Sequence, residues 1–455
     1  MYKINFEKPV HVHFIGIGGI SMSGIAEMLL NFGYKVSGSD AKPSGLTDRL
    51  KQNGAEIFIG QSADNIKNPD AVCYTAAISP DNPELVKAKT LGIPVVERAV
   101  FLGALLEKYK YPIAVAGTHG KTTTSSMLSL VLLAAHKDPT ILIGGELSQI
   151  GGNYHIGGNE YLPFEACEYV ESFLTLRPTI ALINNIDNDH LDYYGDMEHI
   201  VAAFKKFAAL LPENGLLIGN TDDFRVRALM AEHTGRKLSY GMKDADYTPA
   251  NTTYDDNGCP GFDIMFRGEK LMHIQLRIPG EHSVMNAIAA AAVAREIGAD
   301  DNCIASALSA FRNTRRRFEY YGERNGVKYY HDYGHHPSEI AATMKAASNV
   351  KHNKLFCVFQ CNSYTRAKTL FLNDVTCFNL ADETLVPDIY PGREKDDGSV
   401  HARDMVAAIN AGGGHATYLG TFENIRDYLD SHANAGDLVV TIGSGDVYIQ
   451  TKKLL

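Results

Sequence analysis

Short apolar runs recur along the chain, and stretches with helical spacing follow them. Residues 10–15 form one such run, then come glycines, then a helical pattern through Ile25, Met28 and Leu29. Residues 35–38 and 72–75 read as further strands. Strands that alternate with helices predict a parallel sheet. A charged stretch at 107–110 closes this first region, and a second begins with the strand 113–116, a glycine turn and a helix. Residues 180–183 read as another buried strand. The helix predicted over 197–211 places Ile200, Ala203, Phe204, Phe207 and Leu211 on one face. From 247 to 278 that period is lost and turn residues appear, which predicts antiparallel hairpins. An alanine-rich helix follows over 282–297. Strands at 328–331, 355–359 and 438–442 alternate with helical patterns in a third region.

The chain has 455 residues, roughly three domains at about 150 residues each. Apolar residues make up 45% and charged residues 21%, so a disordered, collagen-like or coiled-coil chain is excluded. The net charge is -10. Diffuse binding of nucleic acid or of an anionic membrane wants the opposite sign, so an anionic ligand needs a local device. Residues 1–14 lack a basic start followed by an apolar stretch, so no signal peptide is expected. The most apolar helix, near 128–135, is too short for a membrane span. Seven scattered cysteines form no C-x-x-C pair, which fits reduced thiols in a cytoplasm.

The strongest chemical signal is residues 117–124 (GTHGKTTT), between a buried strand and a helix. Glycines let backbone N–H groups turn toward a phosphate, and the helix N-terminus adds partial positive charge. Lys121 would neutralise phosphoryl oxygens and the Thr122 hydroxyl could ligate Mg2+. The usual P-loop has a glycine where this chain has Val115. A second glycine turn, 16–24 (GIGGISMSG), precedes Asp40 at the end of the next strand. It is similar to a dinucleotide-binding fingerprint with Ser21 in place of the third glycine. A diphosphate could sit on that helix N-terminus. Glu165 and Glu168, then Asp187, Asp189, His190 and Asp192, lie after or near strand ends, where ligands bind in such sheets. Beside Lys121 they would suit Mg2+ held against a triphosphate. Asn286 could bond a base edge or cap its helix. Residues 314–317 (TRRR) could meet phosphates or form a basic linker. His331, Asp332, His335 and His336 cluster at a strand end, yet no third soft ligand has zinc spacing.

In this order the motifs resemble the Mur ligase family. The residues that carry the match are 16–27, 37–40, 117–124, 165–169, 185–192, 316–319, 331–340 and 388–395, so the resemblance spans essentially the whole chain. It implies an α/β protein of three domains. Residues 1–108 would be a Rossmann-like domain for a UDP-sugar, 109–314 a central P-loop domain for ATP, and 315–455 a Rossmann-like C-terminal domain. It also implies a cytoplasmic, ATP-dependent amide ligase of peptidoglycan precursor synthesis, a monomer or homodimer. The pattern points to the member that joins L-alanine to the lactyl carboxylate of UDP-N-acetylmuramate, through an acyl phosphate. ATP and Mg2+ are the implied cofactors. By the same resemblance Gly117, Thr118, His119, Gly120, Lys121, Thr122 and Thr123 cradle the nucleotide phosphates. Thr122, Glu165 and His190 hold metal, Asn286 meets adenine, and Arg317 and Asp332 meet phosphate and ribose. His335 and Arg366 stand near the amino-acid carboxylate, and Gly18, Gly19, Ser21 and Asp40 cradle the UDP diphosphate. Lys121, Glu165, His190, His335 and Arg366 form the implied catalytic set. The family commonly has His-Asn where this chain has His282-Ser283, and a histidine where it has Asn362.

Three other functions compete. A nicotinamide-dependent oxidoreductase leaves Lys121 and the second acidic cluster unexplained. A P-loop ATPase without ligation leaves the first glycine turn without a purpose. A recycling ligase that adds a preformed tripeptide to the same UDP-sugar shares the chemistry and differs in its amine pocket.

Overall fold

The computed structural model describes residues 10–75, 78–372, 375–392 and 394–455, and of Asp192 only the backbone. The leader reading over residues 1–9 and the motif residue Arg393 therefore lie outside the described residues. The chain divides into two compact units. One holds residues up to 247 together with 289–304, and the other holds 248–288 together with 305–455.

The first unit opens with strands and helices in alternation: β1 (His11–Ile15), α1 (Ile20–Asn31), β2 (Lys35–Asp40), α2 (Gly45–Gln52), β3 (Glu56–Ile59), β4 (Ala71–Tyr74), α3 (Pro83–Thr90), β5 (Val95–Glu97) and α4 (Arg98–Leu106). The sheet order is β3-β2-β1-β4-β5 and every pairing is parallel, as alternation requires. Strand order reverses between β1 and β4, so a crevice forms beyond their C-terminal ends, where the first glycine turn sits.

A second sheet follows in the same unit. Its elements are β6 (Tyr111–Ala116), α5 (Lys121–Ala134), β7 (Ile141–Leu147), β8 (Gly152–His155), β9 (Tyr161–Glu165), β10 (Ile180–Ile183), α6 (Leu191–Tyr194), α7 (Met197–Ala208), β11 (Leu216–Asn220), α8 (Phe224–Glu232) and β12 (Arg236–Tyr240). The order is β12-β11-β10-β6-β9-β7-β8. β6, β10 and β11 are continuous apolar runs because helices cover both faces of a parallel sheet. On α7, Ile200, Ala203, Phe204 and Phe207 are buried as the helical period predicts, while Leu211 lies past the helix end and is half-buried. Phe173 stacks on Phe207 with ring centroids 4.7 Å apart and meets Phe204 edge-on at 5.2 Å. The β7–β8 hairpin docks on α1: the Asn153 amide donates to Ile20 O at 2.8 Å, and the Tyr154 hydroxyl to Glu27 at 3.2 Å.

The second unit contains most of β13 (Tyr247–Tyr254), with β14 (Pro260–Phe266) and β15 (Glu269–Gln275) as an antiparallel hairpin. Helices α9 (Glu281–Glu296) and α10 (Asp301–Ala310) run across the boundary between units in the sequence. Then come β16 (Glu319–Arg324), β17 (Val327–Asp332), α11 (Pro337–Asn349), β18 (Leu355–Phe359), the short turn α12 (Tyr364–Arg366), β19 (Glu383–Pro387), α13 (Ala402–Ala411), β20 (Ala416–Gly420), α14 (Phe422–His432), β21 (Leu438–Ile442) and α15 (Val447–Leu454). The sheet order is β16-β17-β21-β18-β19-β20, parallel except for the β16–β17 hairpin. The architecture is thus α/β with three sheets. All seven cysteines are free, and Cys357 and Cys361 are both buried. No helix among the described residues is long and apolar enough to cross a membrane.

His331 on β17 is fully buried. Its Nδ1 meets Thr441 Oγ1 at 3.0 Å, and its Nε2 has no hydrogen-bond partner among the described residues. Burial, aided by the nearby Arg316 charge, pushes its pKa from the ordinary 6.5 down to about 3. The fold therefore holds the neutral ring. Its stability is full above pH 6.5 and is lost as pH falls from there toward 3, because the unfolded chain takes up the proton first. Urea unfolding should show up to about 1.4 kcal/mol per pH unit of this loss. His331→Gln should flatten the slope, and an unchanged slope in that variant would refute the assignment.

Candidate functional site

The P-loop turn is shaped by two glycines. Gly117 has φ 131° and Gly120, which N-caps α5, has φ 80°. A Cβ on Gly117 would meet the backbone nitrogens of Asn184 and Asn185 at 3.1 Å, so the turn lies directly on the chain that leaves β10. That segment also straps the turn. Asn185 Oδ1 accepts the His119 N–H at 2.7 Å, the Asp187 N–H donates to Thr118 Oγ1 at 2.9 Å, and His119 Nε2 lies 2.9 Å from Asp187 Oδ2. The first turn of α5 carries no acidic residue, so its free N–H groups and partial positive charge remain available to an anion. Thr122 and Thr123 stand half-buried on that turn.

Lys121 is held by oxygens of the turn and of Glu168. Its Nζ donates to Gly117 O, to Thr118 O at 3.1 Å, and to both oxygens of Glu168 at 2.9 and 3.1 Å. Burial works against its charge, but Glu168, Cys167 and Glu165 outweigh that and raise its pKa. The lysine is therefore a fixed cation. Glu168 is nearly fully buried and also lies 3.8 Å from His190 Nε2. His190 N-caps α6 with φ 58°, a left-handed conformation that a side chain seldom takes outside a constrained site. The sequence reading named Glu168 only as part of an acidic cluster. Its tie to Lys121 crosses 47 positions and becomes visible only once β6 and β9 pair.

Glu165 ends β9. Its Oε1 accepts the Gly144 N–H at 2.6 Å and the Ser125 hydroxyl at 3.4 Å, and its Oε2 accepts the Thr122 hydroxyl at 3.1 Å. Thr122 and Glu165 thus place a hydroxyl and a carboxylate side by side, the hard oxygen donors that Mg2+ prefers. His190 is brought to Glu168 and Asp189, at 3.8 and 3.7 Å.

The first glycine turn is built differently. Gly16 has φ 82°, and the N–H groups of Gly16 and Ile17 both donate to Ser39 O, at 2.8 and 2.9 Å. The Gly18 N–H donates to Asp40 Oδ2 at 2.9 Å, where a Cβ on Gly18 would also collide. Gly19 N-caps α1 and is exposed, and Ser21 stands half-buried in the first turn of that helix.

In the second unit, Asn286 is buried on α9. Both oxygens of Asp332 are engaged, accepting the N–H groups of Phe318 and Gly334 at 2.7 Å each. Arg317 lies over the Tyr333 ring at 5.0 Å and 4.0 Å from Glu339. His335 packs edge-on to Tyr333 at 5.5 Å and lies 3.6 Å from Glu339. His336 turns away to cap α11, and His331 turns to Thr441, so these histidines take different partners. A cleft of about 540 Å³ opens beyond the strand ends, lined among others by Arg316, Asn362, Ser363, Asp446 and Tyr448. Arg366 ends α12 beside it, its N–H donating to Ser363 Oγ at 3.3 Å. Arg316 was legible only as one of a basic run. The structure sets its guanidinium between the rings of Tyr333 and Tyr448, at 4.5 and 4.9 Å.

Residues 11–110 match the Mur ligase family catalytic domain, 115–294 the Mur ligase middle domain, and 316–445 the Mur ligase glutamate ligase domain. The chain is 48% identical over 446 residues to a UDP-N-acetylmuramate–L-alanine ligase of Alkaliphilus metalliredigens, covering 98% of this chain and 97% of that one. It is 47% identical over 450 residues to the ligase of the same name from Clostridium beijerinckii, covering 99% and 98%. Among solved structures it is similar to a UDP-N-acetylmuramate-alanine ligase from Thermotoga maritima, with TM-score 0.80, 28% identity and 98% of each chain covered. A murein peptide ligase from Psychrobacter arcticus follows at TM-score 0.71 and 25% identity, again over 98% of each chain. Three consecutive domain matches and full-length relatives near half identity lead to one conclusion: the chain belongs to the Mur ligase family.

Proposed function

We propose that this protein is the ATP-dependent ligase that joins L-alanine to the lactyl carboxylate of UDP-N-acetylmuramate in peptidoglycan precursor synthesis. The observation that carries the reading is identity of 47–48% over nearly the full length to relatives bearing that name. The reading takes 1–108 as the UDP-sugar domain, 109–314 as the ATP domain and 315–455 as the C-terminal domain, in a cytoplasmic enzyme.

The chemistry explains the residues. A carboxylate is a poor acyl donor, so it first takes the γ-phosphoryl group of ATP, releasing ADP. The amine then attacks the acyl carbon, and the amide forms as phosphate leaves. Little covalent work falls to the protein in phosphoryl transfer; it positions groups and offsets charge. The first turn of α5 supplies N–H donors, and Gly117, Thr118, His119, Gly120 and Thr123 shape the cradle. Lys121 supplies a cation that Glu168 keeps in place until phosphate oxygens share it. Thr122 and Glu165 fit a Mg2+ ion, with His190 in the same reading. Mg2+, when bound, would offset charge on the triphosphate oxygens. Gly18, Gly19, Ser21 and Asp40 take the diphosphate of the UDP-sugar. Asn286, Arg317 and Asp332 serve the nucleotide, and His335 and Arg366 the amino-acid carboxylate.

Phosphate release with ATP, Mg2+ and UDP-N-acetylmuramate should require L-alanine, with the amide product seen by mass. Release with a tripeptide in place of L-alanine would move the assignment to a recycling ligase. Release indifferent to the sugar nucleotide would leave an ATPase. Lys121→Ala should lower kcat about a hundredfold or more, as loss of a charge-stabilising donor does. A second test uses the close approach at Gly144, where a Cβ would stand 2.8 Å from Glu165 Oε2. Gly144→Ala should push that carboxylate aside and raise the Mg2+ concentration for half-maximal activity, while the L-alanine KM stays put. An unaltered Mg2+ requirement would remove Glu165 from the metal site.

A further inference from the structure

Glu84 lies in the first turn of α3, wholly buried, and belongs to none of the groups described so far. Burying an ionised carboxylate is costly unless its lone pairs are met. Here they are met on both oxygens. Oε1 accepts the Asn65 amide and the Ser62 N–H, the latter at 3.2 Å. Oε2 accepts the Ser39 hydroxyl at 2.6 Å and lies 3.4 Å from His13 Nε2. Burial pushes its pKa up, but the bonds from His13, Ser39 and Asn65 outweigh this and hold it below the ordinary value. His13 is itself fixed, its Nδ1 2.8 Å from Ser37 Oγ, which also meets His11 Nε2 at 2.8 Å. The carboxylate therefore has one orientation, set from three sides. An apolar residue here would leave the Ser39 hydroxyl, the Asn65 amide and the Ser62 N–H without this acceptor, so hydrogen bonding and not packing sets the residue type.

What the carboxylate grips is Ser39, and Ser39 grips the first glycine turn. The Ser39 carbonyl takes the N–H groups of Gly16 and Ile17, and the next residue, Asp40, takes that of Gly18. Three consecutive N–H groups of the turn are thus ordered by two residues at the end of β2. The hydroxyl of the first of these is tied to a buried charge on another element. We propose that Glu84 is a positioning residue for the sugar-nucleotide site. Through Ser39 it sets the height and tilt of the Gly16–Gly19 turn, on which the diphosphate of the UDP-sugar rests. This rests on the function proposed above.

The test is a KM split in the full-length enzyme. Ser39→Ala and Glu84→Gln should each raise the KM for UDP-N-acetylmuramate about tenfold, the usual effect of losing one hydrogen bond to a charged group. The KM values for ATP and L-alanine should stay within about twofold. Both substitutions act on one link, Ser39→Ala by removing the donor hydroxyl and Glu84→Gln by removing the charge and one acceptor oxygen, so the double variant should be no weaker than the worse single one. A purely structural role would lower the melting temperature with the sugar-nucleotide KM unchanged, and that result would overturn the proposal. So would an equal rise in all three KM values. Should Glu84→Gln fail to fold, Ser39→Ala removes only a hydroxyl and carries the test. Calorimetric binding of UDP-N-acetylmuramate separates this idea from the reading of function. If the wild type binds it but does not ligate, the ligase reading fails, and the Kd values of the variants still decide the role of Glu84.

Discussion

The buried contact between Lys121 and Glu168 is the interaction around which the phosphate turn is arranged. A cation at a helix N-terminus sits where the backbone dipoles already disfavour it. Here most of its side chain is also shielded from water, so it needs a carboxylate at hand. The carboxylate comes from the chain that leaves β9, and the turn itself from the end of β6, its parallel neighbour. Sheet register therefore decides whether lysine and glutamate meet. The same pairing brings Glu165 to Thr122, one residue further along α5. With the lysine pinned, the first turn of α5 carries no acidic side chain, and the Thr122 hydroxyl is turned to Glu165.

The two glycine turns of the first unit meet the same need by different means. At 117–120 the turn leans on backbone and is strapped by Asn184, Asn185 and Asp187. At 16–19 it hangs from the end of β2, through the Ser39 carbonyl and the Asp40 carboxylate. The first arrangement places a lysine, held by Glu168, beside the turn. The second places a carboxylate on the turn, so an anionic ligand there depends on helix N–H groups and on how the turn is held. The β7–β8 hairpin touches both regions: Asn153 bonds the first turn of α1, while Gly144 bonds Glu165.

Much of the fold was legible where burial alone writes the pattern. Residues 180–183 must be a strand because four consecutive buried apolar positions need a sheet covered on both faces. The face of α7 follows from its period. The polar strand Glu319–Arg324 was not legible, because its pairing with β17 in a hairpin, and not burial, makes it a strand. β7 was missed for a related reason: glycines at 144 and 145 break its apolar run, and at Gly144 the backbone comes close to Glu165. In the site, the P-loop turn and its lysine could be read from residue types at fixed spacing. Asp332 shows the limit. The resemblance implies a ribose contact for it, while the structure adds what no spacing shows, that its two oxygens accept the N–H groups of Phe318 and Gly334, one each.

The sequence by itself determined the alternation of strand and helix, the two glycine turns and the family to which the chain belongs, because these depend on residue types a few positions apart. Tertiary structure alone decided the partners: Glu168 for Lys121, Gly144 for Glu165, Glu84 for Ser39. Those pairs are 47, 21 and 45 positions apart. A side chain's spacing says which face it takes, while its hydrogen-bond partner depends on which strands lie next to one another. A buried charge needs its lone pairs met, so once the sheets assemble Glu168 and Glu84 are held by the partners that lie beside them.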